Sequence, residues 1–338
     1  MAGAVASYPS MMPGAGAKAL RGMLHGMRKA TALGLLAPLV LAVASAAPGA
    51  AAEPGFDTTW HDGKAELDGY RLTIERYGHP RQGRAVAIYV TEPFSRSMHV
   101  KLDRPAKTAG DSVDVLKLNL VRDFQTGIYD YHTIVSLFAG SADFAPLKVA
   151  FSSSEWCGQV YEELNRWGAK LAQRVSSYFD GESAERTLEV PAGGIMEDEL
   201  FFLLRGFRKP YLDAGTIRTV PFLASPFYRR LAHRPTTWTN ATIERLAEPQ
   251  TVLVPAGTFV TDVFVIRPGD GREGRFYVER AHPRRIVKWA WTPAAPGRSL
   301  GGTDSAELTG SMRLEYWRTH DPGDQRYLER IGLRPLGD

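Results

Sequence analysis

Alternating apolar and polar residues mark the middle of the chain and predict a β-hairpin there. Leu116, Leu118 and Leu120 are separated by single polar residues, which is the period of two expected for a half-buried strand. Residues 125–127 supply a turn, and 128–138 alternates again, with Tyr, Thr, Val and Leu on one face. The two segments are therefore expected to pair as antiparallel strands.

Short apolar runs separated by Gly, Pro and Asp extend this pattern and predict a meander, because the connections are too short for parallel crossovers. A helix is predicted near 195–206, where Leu200 and Leu203 recur at helical spacing, and 155–166 fits either a helix or a strand. The fold class is mainly β: a curved antiparallel sheet or half-barrel meander with one or two short helices, after an N-terminal signal peptide. The other predicted strands are 70–74, 85–90, 147–151, 169–179, 217–222, 237–247, 251–254, 259–266, 275–279, 285–291 and 305–317.

The first 52 residues have the composition of a signal peptide. They contain no Asp or Glu, and their basic residues come before an apolar run at 30–41. Small-x-small cleavage sites follow this run, and one of them ends at Ala52. We expect cleavage after Ala52 and a periplasmic or secreted protein; an uncleaved anchor is the alternative. The mature chain is expected to comprise an N-terminal β region (53–150) and a C-terminal β domain (151–338), or one continuous domain.

The net charge of +4 comes from this leader, since the rest of the chain has equal numbers of basic and acidic residues. Global charge therefore gives no argument for a nucleic acid partner, and we expect membrane contact only through the signal peptide. The histidines are scattered, without a metal-ligand spacing, so we expect no metal and no cofactor. Carboxylate pairs such as Glu162-Glu163 and Asp198-Glu199 are expected on the solvated surface.

The only cysteine, Cys157, excludes an internal disulfide. With His132 or His99 as base it would serve a cysteine-dependent envelope hydrolase or transferase. Exported cysteine transpeptidases carry a Ser-x-Gly-Cys-x-Arg motif around the catalytic cysteine. That motif is absent around Cys157. We therefore expect a buried thiol packed against Trp156, because free cysteine behaves as a small hydrophobe.

Most of the aromatic residues are expected in the core or on strand surfaces; the alternative is that some of them line a concave sheet that holds a lipid or a glycan. The expected ligand-binding residues are Tyr131, Trp156, Cys157, Tyr178 and Arg205. Arg205 has a second interpretation, in which it only anchors its helix to the sheet.

The segment 252–259, VLVPAGTF, resembles the hallmark of an uncharacterised family of exported bacterial proteins. The resemblance covers roughly 195–318 and includes Glu199-Leu200 through Leu204-Arg205. Pro255 and Gly257 would make the tight turn between two strands. The resemblance implies a fold similar to the periplasmic lipoprotein carriers, which are curved half-barrels that bind acyl chains in their concavity.

A wider resemblance, over 92–97, 116–131 and 152–158, is to exported proteins labelled septum formation inhibitor Maf. True Maf proteins are cytoplasmic nucleotide pyrophosphatases with a Ser-x-Ser-Pro-Arg-Arg loop. That loop is absent from this chain, so the resemblance implies no pyrophosphatase activity.

Three functions follow from the sequence. The features favour a non-enzymatic envelope protein that binds an apolar or amphiphilic ligand. The alternatives are the cysteine-dependent enzyme at Cys157 and a structural or assembly factor of the envelope that recruits partners through an exposed edge strand.

Overall fold

Antiparallel strand pairing organises the protein. A computed structural model describes residues 55–104, 110–294 and 303–335; the predicted signal peptide (1–52) lies outside this part. The described residues form one sheet of 16 strands. The strands are β1 (Ala65–Arg76), β2 (His79–Ser95), β3 (Ser112–Thr126), β4 (Tyr129–Gly140), β5 (Pro146–Glu155), β6 (Gly158–Trp167), β7 (Lys170–Ser177), β8 (Ala184–Glu189), β9 (Ile195–Met196), β10 (Ile217–Leu223), β11 (Trp238–Arg245), β12 (Gln250–Val254), β13 (Gly257–Pro268), β14 (Arg272–Glu279), β15 (Ile286–Pro293) and β16 (Asp304–Leu314). The α-helices are α1 (Phe56–Trp60), α2 (Leu200–Leu203), α3 (Pro226–Leu231) and α4 (Arg326–Glu329), with 3₁₀ helices at Glu197–Glu199 and Tyr316–Arg318.

The strand order is β8-β7-β6-β5-β4-β3-β2-β1-β16-β15-β14-β13-β11-β10-β9, and β12 pairs with β13. Every pair is antiparallel except β9–β10. The first eight strands follow chain order, and β16 returns to pair with β1. The prediction of a curved, mainly antiparallel sheet with few short helices is confirmed.

The predicted β3–β4 hairpin is confirmed, with Leu120 opposite Val135. Alternate residues of these strands are buried in one large core, among them Leu118, Tyr131 and Leu137. The helical interpretation of 155–166 is wrong, because this segment forms β6 and pairs with β5 and β7.

The segment that follows β9 packs on the inner face of the sheet. It contains the predicted helix as a 3₁₀ turn and α2, and Phe201 contacts the Trp289 ring edge-on at 5.3 Å between centroids. Phe202 lies against Tyr89 on β2. The segment therefore bridges strands that are far apart in the sheet order.

The C-terminal segment 326–335 packs on the opposite face of β1 and β16. Ile331 and Leu333 are buried there with Ala65, Leu67 and Val90 in a second, smaller core. The Thr309 hydroxyl donates to the Ile331 carbonyl at 2.6 Å. Both faces of β1 are consequently covered.

The predicted turn in VLVPAGTF joins β12 to β13, with Val254 paired to Gly257. The expected boundary near residue 150 falls within β5, and the sheet is continuous on both sides of it. Among the described residues, no helix has the length and apolar character needed to cross a membrane.

Candidate functional site

A pocket of about 140 Å³ lies between the end of β1, α3 and the start of β16. Its apolar wall includes Ile74, Phe227 and Trp291, which are buried side chains, while Arg122 and Asp304 supply polar groups. These residues come from distant parts of the chain and meet because β1, β3 and β16 lie near one another in the sheet order. We refer to this space as the Arg122 pocket.

Arg122 is the most unusual group in this pocket. It occupies an inward position on β3, two residues after Leu120, and is only 5% exposed. Its guanidinium carbon lies 4.1 Å from the centre of the Phe227 ring. Neither Nε nor Nη1 donates a hydrogen bond to any described residue. An arginine stays protonated in proteins, so a buried positive charge with two unpartnered donors lies in the wall of the pocket.

Arg272, on the other side of the same pocket, has its partners within the protein. Its Nη2 donates to Glu197 at 2.7 Å and to Asp270 at 2.8 Å. Its guanidinium carbon lies 3.4 Å from the centre of the Tyr228 ring and 4.4 Å from that of Trp291. Arg122 therefore differs from Arg272 in having two buried donors without a partner among the described residues.

The carboxyl groups of Asp304, Asp198 and Glu197 are close enough to Arg122 to act on its charge. Glu197, Asp198 and Glu199 are each at most 6% exposed, so the expectation that the Asp198-Glu199 pair is solvated is wrong. It is also wrong for Glu162, which is 6% exposed and pairs with Arg229. Burial, assisted by the charge of Glu197, raises the pKa of Asp198 to about 7. Burial also raises the pKa of Glu199 to about 7 and holds that of Asp304 above its usual range.

Replacing Asp198 by Asn is predicted to flatten the pH dependence of stability. A carboxyl with a pKa of about 7 in the folded chain and about 3.9 in the unfolded chain is protonated only in the folded state between these values. The free energy of unfolding therefore falls as the pH rises through this window. Between about pH 5 and about pH 8, we expect the free energy of unfolding of Asp198→Asn to fall by about 2 kcal/mol less than that of the natural protein.

Urea unfolding at a series of pH values measures this difference. Asp180→Asn is the matched control, because Asp180 is exposed and the same charge is removed. If the two variants show the same pH profile, Asp198 is not the group that titrates.

The structure places Cys157 and Trp156 in the two-residue turn between β5 and β6, where Glu155 pairs with Gly158. The thiol is exposed, and Trp156 is 68% exposed. The expectation of a buried thiol is wrong, because a two-residue hairpin turn projects both side chains beyond the strands that would cover them.

Four of the five predicted ligand-binding residues lie at the same end of the β4–β8 hairpins. The buried Tyr131 hydroxyl is 3.1 Å from that of Tyr77, and Tyr178 packs over Gly158, where a Cβ atom would come within 2.5 Å of its ring. None of Tyr131, Trp156, Cys157 and Tyr178 lines the Arg122 pocket. Their part in binding stays a prediction.

His132 lies on the same strand as Tyr131 but faces away from the core. Its Nδ1 atom is 2.5 Å from Oδ1 of Asp123 on β3. Its proposed use as a base for Cys157 stays a prediction.

Arg205 lies elsewhere, fully buried on the inner face beyond α2. Its Nη1 donates to Glu66 on β1 at 2.7 Å, and Nη2 and Nε donate to the carbonyls of Pro283 and Arg284. These contacts support the second interpretation of this residue, as the anchor of its helix. It is not part of the Arg122 pocket.

No family model and no curated protein matches this chain. Among solved structures, it is similar to a β-barrel-like protein of domain of unknown function DUF1849 from Brucella abortus. That likeness has 10% sequence identity and a TM-score of 0.39, and it covers 74% of this chain and 98% of the other. Its description names a fold type and no activity.

Sequence reasoning missed the Arg122 pocket, although one signal was present. The alternation of Leu116, Leu118 and Leu120 places Arg122 on the inner face, where a charged side chain needs a partner. Among the described residues, no group of three or more His, Cys, Asp or Glu is arranged to hold a metal ion.

Proposed function

We propose that this chain is an exported, non-enzymatic binding protein whose Arg122 pocket takes an amphiphilic ligand with an acidic head group. One observation carries the proposal: a buried arginine with two unpartnered donors lines a pocket that has apolar walls. An unsatisfied buried charge is costly, and a carboxylate or phosphate would remove this cost through charge-assisted hydrogen bonds.

The other charged groups of the pocket are compatible with an anion. Glu197 is neutralised by Arg272. Asp304 binds its proton more readily than an ordinary carboxyl, because burial raises its pKa. Arg122 and Arg76, which also lines the pocket, each have a buried donor without an acceptor among the described residues, so positive charge is left for an anion.

The size of the pocket limits what enters it. A cavity of about 150 Å³ holds a molecule such as benzene, so the Arg122 pocket, at about 140 Å³, takes a head group and a few carbon atoms. The apolar side chains Ile74, Phe227 and Leu231 line it and suit the first carbons of an acyl chain. A longer chain would continue outside the pocket.

Isothermal titration with decanoic acid and with decanol tests the proposal, since the two ligands share a chain and differ in the head group. We expect the acid to bind about 10- to 100-fold more tightly than the alcohol, the value of charge-assisted hydrogen bonds to a guanidinium. Arg122→Gln is expected to reduce the affinity for the acid to that for the alcohol.

Arg174→Gln is the matched control, because Arg174 lies on β7 with its side chain 66% exposed, and it should leave both affinities unchanged. Equal affinity for the acid and the alcohol, or an Arg122→Gln variant that binds the acid as well as the natural protein, would contradict the proposal.

A further inference from the structure

A second pocket lies on the other side of α3. It has a volume of about 340 Å³ and is formed by β6, β7, the turn after β7 and residues 229–236. Its charged lining residues are Glu162, Glu182, Arg186, Arg229, Arg230 and Arg234. We call it the basic pocket. It shares no lining residue with the Arg122 pocket, so it is a separate site.

Arginines outnumber the carboxylates that neutralise them in the basic pocket. Arg229 pairs with Glu162 at 2.7 Å, and Arg230 pairs with Glu155 at 2.8 Å. Arg186 donates instead to the neutral Gln173, and Arg234 forms no salt bridge within the described part of the chain. Two arginines are therefore left without a carboxylate partner, while the carboxylate of Glu182, which also lines the pocket, contacts His233 at 2.8 Å.

Arg230 supplies the second observation. Its side chain is only 5% exposed, and its guanidinium carbon lies 3.8 Å from the centre of the Phe179 ring. Its Nε and Nη1 atoms are buried without an acceptor among the described residues. The pair with Glu155 uses only Nη2, so two donors of a buried guanidinium in the wall of this pocket have no partner.

We propose that the basic pocket binds a tetrahedral oxyanion, as a phosphate or sulfate group. Such a group offers several acceptor oxygens, which match the parallel donors of a guanidinium. Arg230 would hold the anion from the buried side, and Arg186 and Arg234 would balance its charge from the open side. The pocket is larger than one phosphate, so a sugar-sized substituent on the anion also fits.

Isothermal titration of the purified protein with inorganic phosphate, inorganic sulfate and glucose 6-phosphate, at constant ionic strength, tests this site. We expect saturable single-site binding of at least one of them. Arg234→Gln and Arg186→Gln are each expected to weaken it by about tenfold, the loss of one charge-assisted contact. These two arginines are partly or fully exposed, so the variants test binding without disturbing the buried Arg230–Glu155 pair.

Arg174→Gln again serves as the control, because Arg174 lies on β7 between the inward positions and faces solvent. Tighter binding of glucose 6-phosphate than of phosphate identifies a phosphate ester as the ligand, and equal binding identifies the free anion; both support the site. The proposal is overturned if none of the three compounds saturates the protein, or if the Arg186 and Arg234 variants bind as well as the control.

Discussion

Replacing Arg205 by Met is expected to destabilise the protein by about 3–5 kcal/mol, the cost of removing one partner of a buried ion pair. Arg205 donates to Glu66 at 2.7 Å, and both side chains are at most 1% exposed. Asp68 is buried beside them, and burial together with the charge of Glu66 holds its pKa well above the usual range, while Arg205 opposes that shift. Without Arg205, this carboxyl pair has lost its nearest cation.

Urea unfolding, monitored by tryptophan fluorescence, measures the loss of stability in Arg205→Met. A double variant, Arg205→Met with Glu66→Met, is expected to recover part of it, because it also removes the uncompensated carboxylate. The control is Arg174→Met, which breaks an exposed pair with Glu185 and should change stability by less than about 1 kcal/mol. If Arg205→Met costs no more than this control, the ion pair does not anchor the helix segment to β1.

Gly69→Ala is expected to displace the C-terminal segment from the sheet. A Cβ atom at position 69 would lie 2.2 Å from the carbonyl oxygen of Ile331, and a Cβ atom does not approach an oxygen atom that closely without a clash. The strand cannot yield easily, because its register already shifts between Gly69 and Tyr70 and its other face is packed. Losing the burial of Ile331 and Leu333 costs about 1.5–3 kcal/mol for each side chain.

Hydrogen exchange of the peptide that contains 326–335 measures the displacement, and we expect fast exchange in Gly69→Ala and slow exchange in the natural protein. Gly55→Ala is the control, since a Cβ atom there meets nothing within 4 Å. Unchanged protection of the segment in Gly69→Ala would mean that the backbone accommodates the methyl group.

The sequence was most informative where one face of a strand is buried and the other is solvated. The alternation in β3 and β4 predicted their pairing, because a period of two identifies the inner face. It gave no sign of β8, whose residues are all partly or fully exposed. An edge strand of this kind has no buried face to produce alternation.

The candidate sites were less predictable, because they depend on which inward polar residues meet across the sheet. Arg122 on β3 and Asp304 on β16 are more than 180 positions apart in the printed sequence, and only the strand order brings both into one pocket. The error at Cys157 has a different cause. The apolar character of a free cysteine suggested a core position, whereas the hairpin register places it in a turn.

The pairing of β1 with β16 has a consequence for the order in which the chain folds. The eight strands from β1 to β8 are joined by hairpins, so they can associate one after another as the chain is synthesised from its N-terminus. The other edge of β1 has to wait for β16, which follows all the other described strands in the chain. Until then β1 exposes unpaired N–H and C=O groups, a template for intermolecular association. The nascent protein is therefore expected to be prone to aggregation through β1 for as long as β16 has not paired with it.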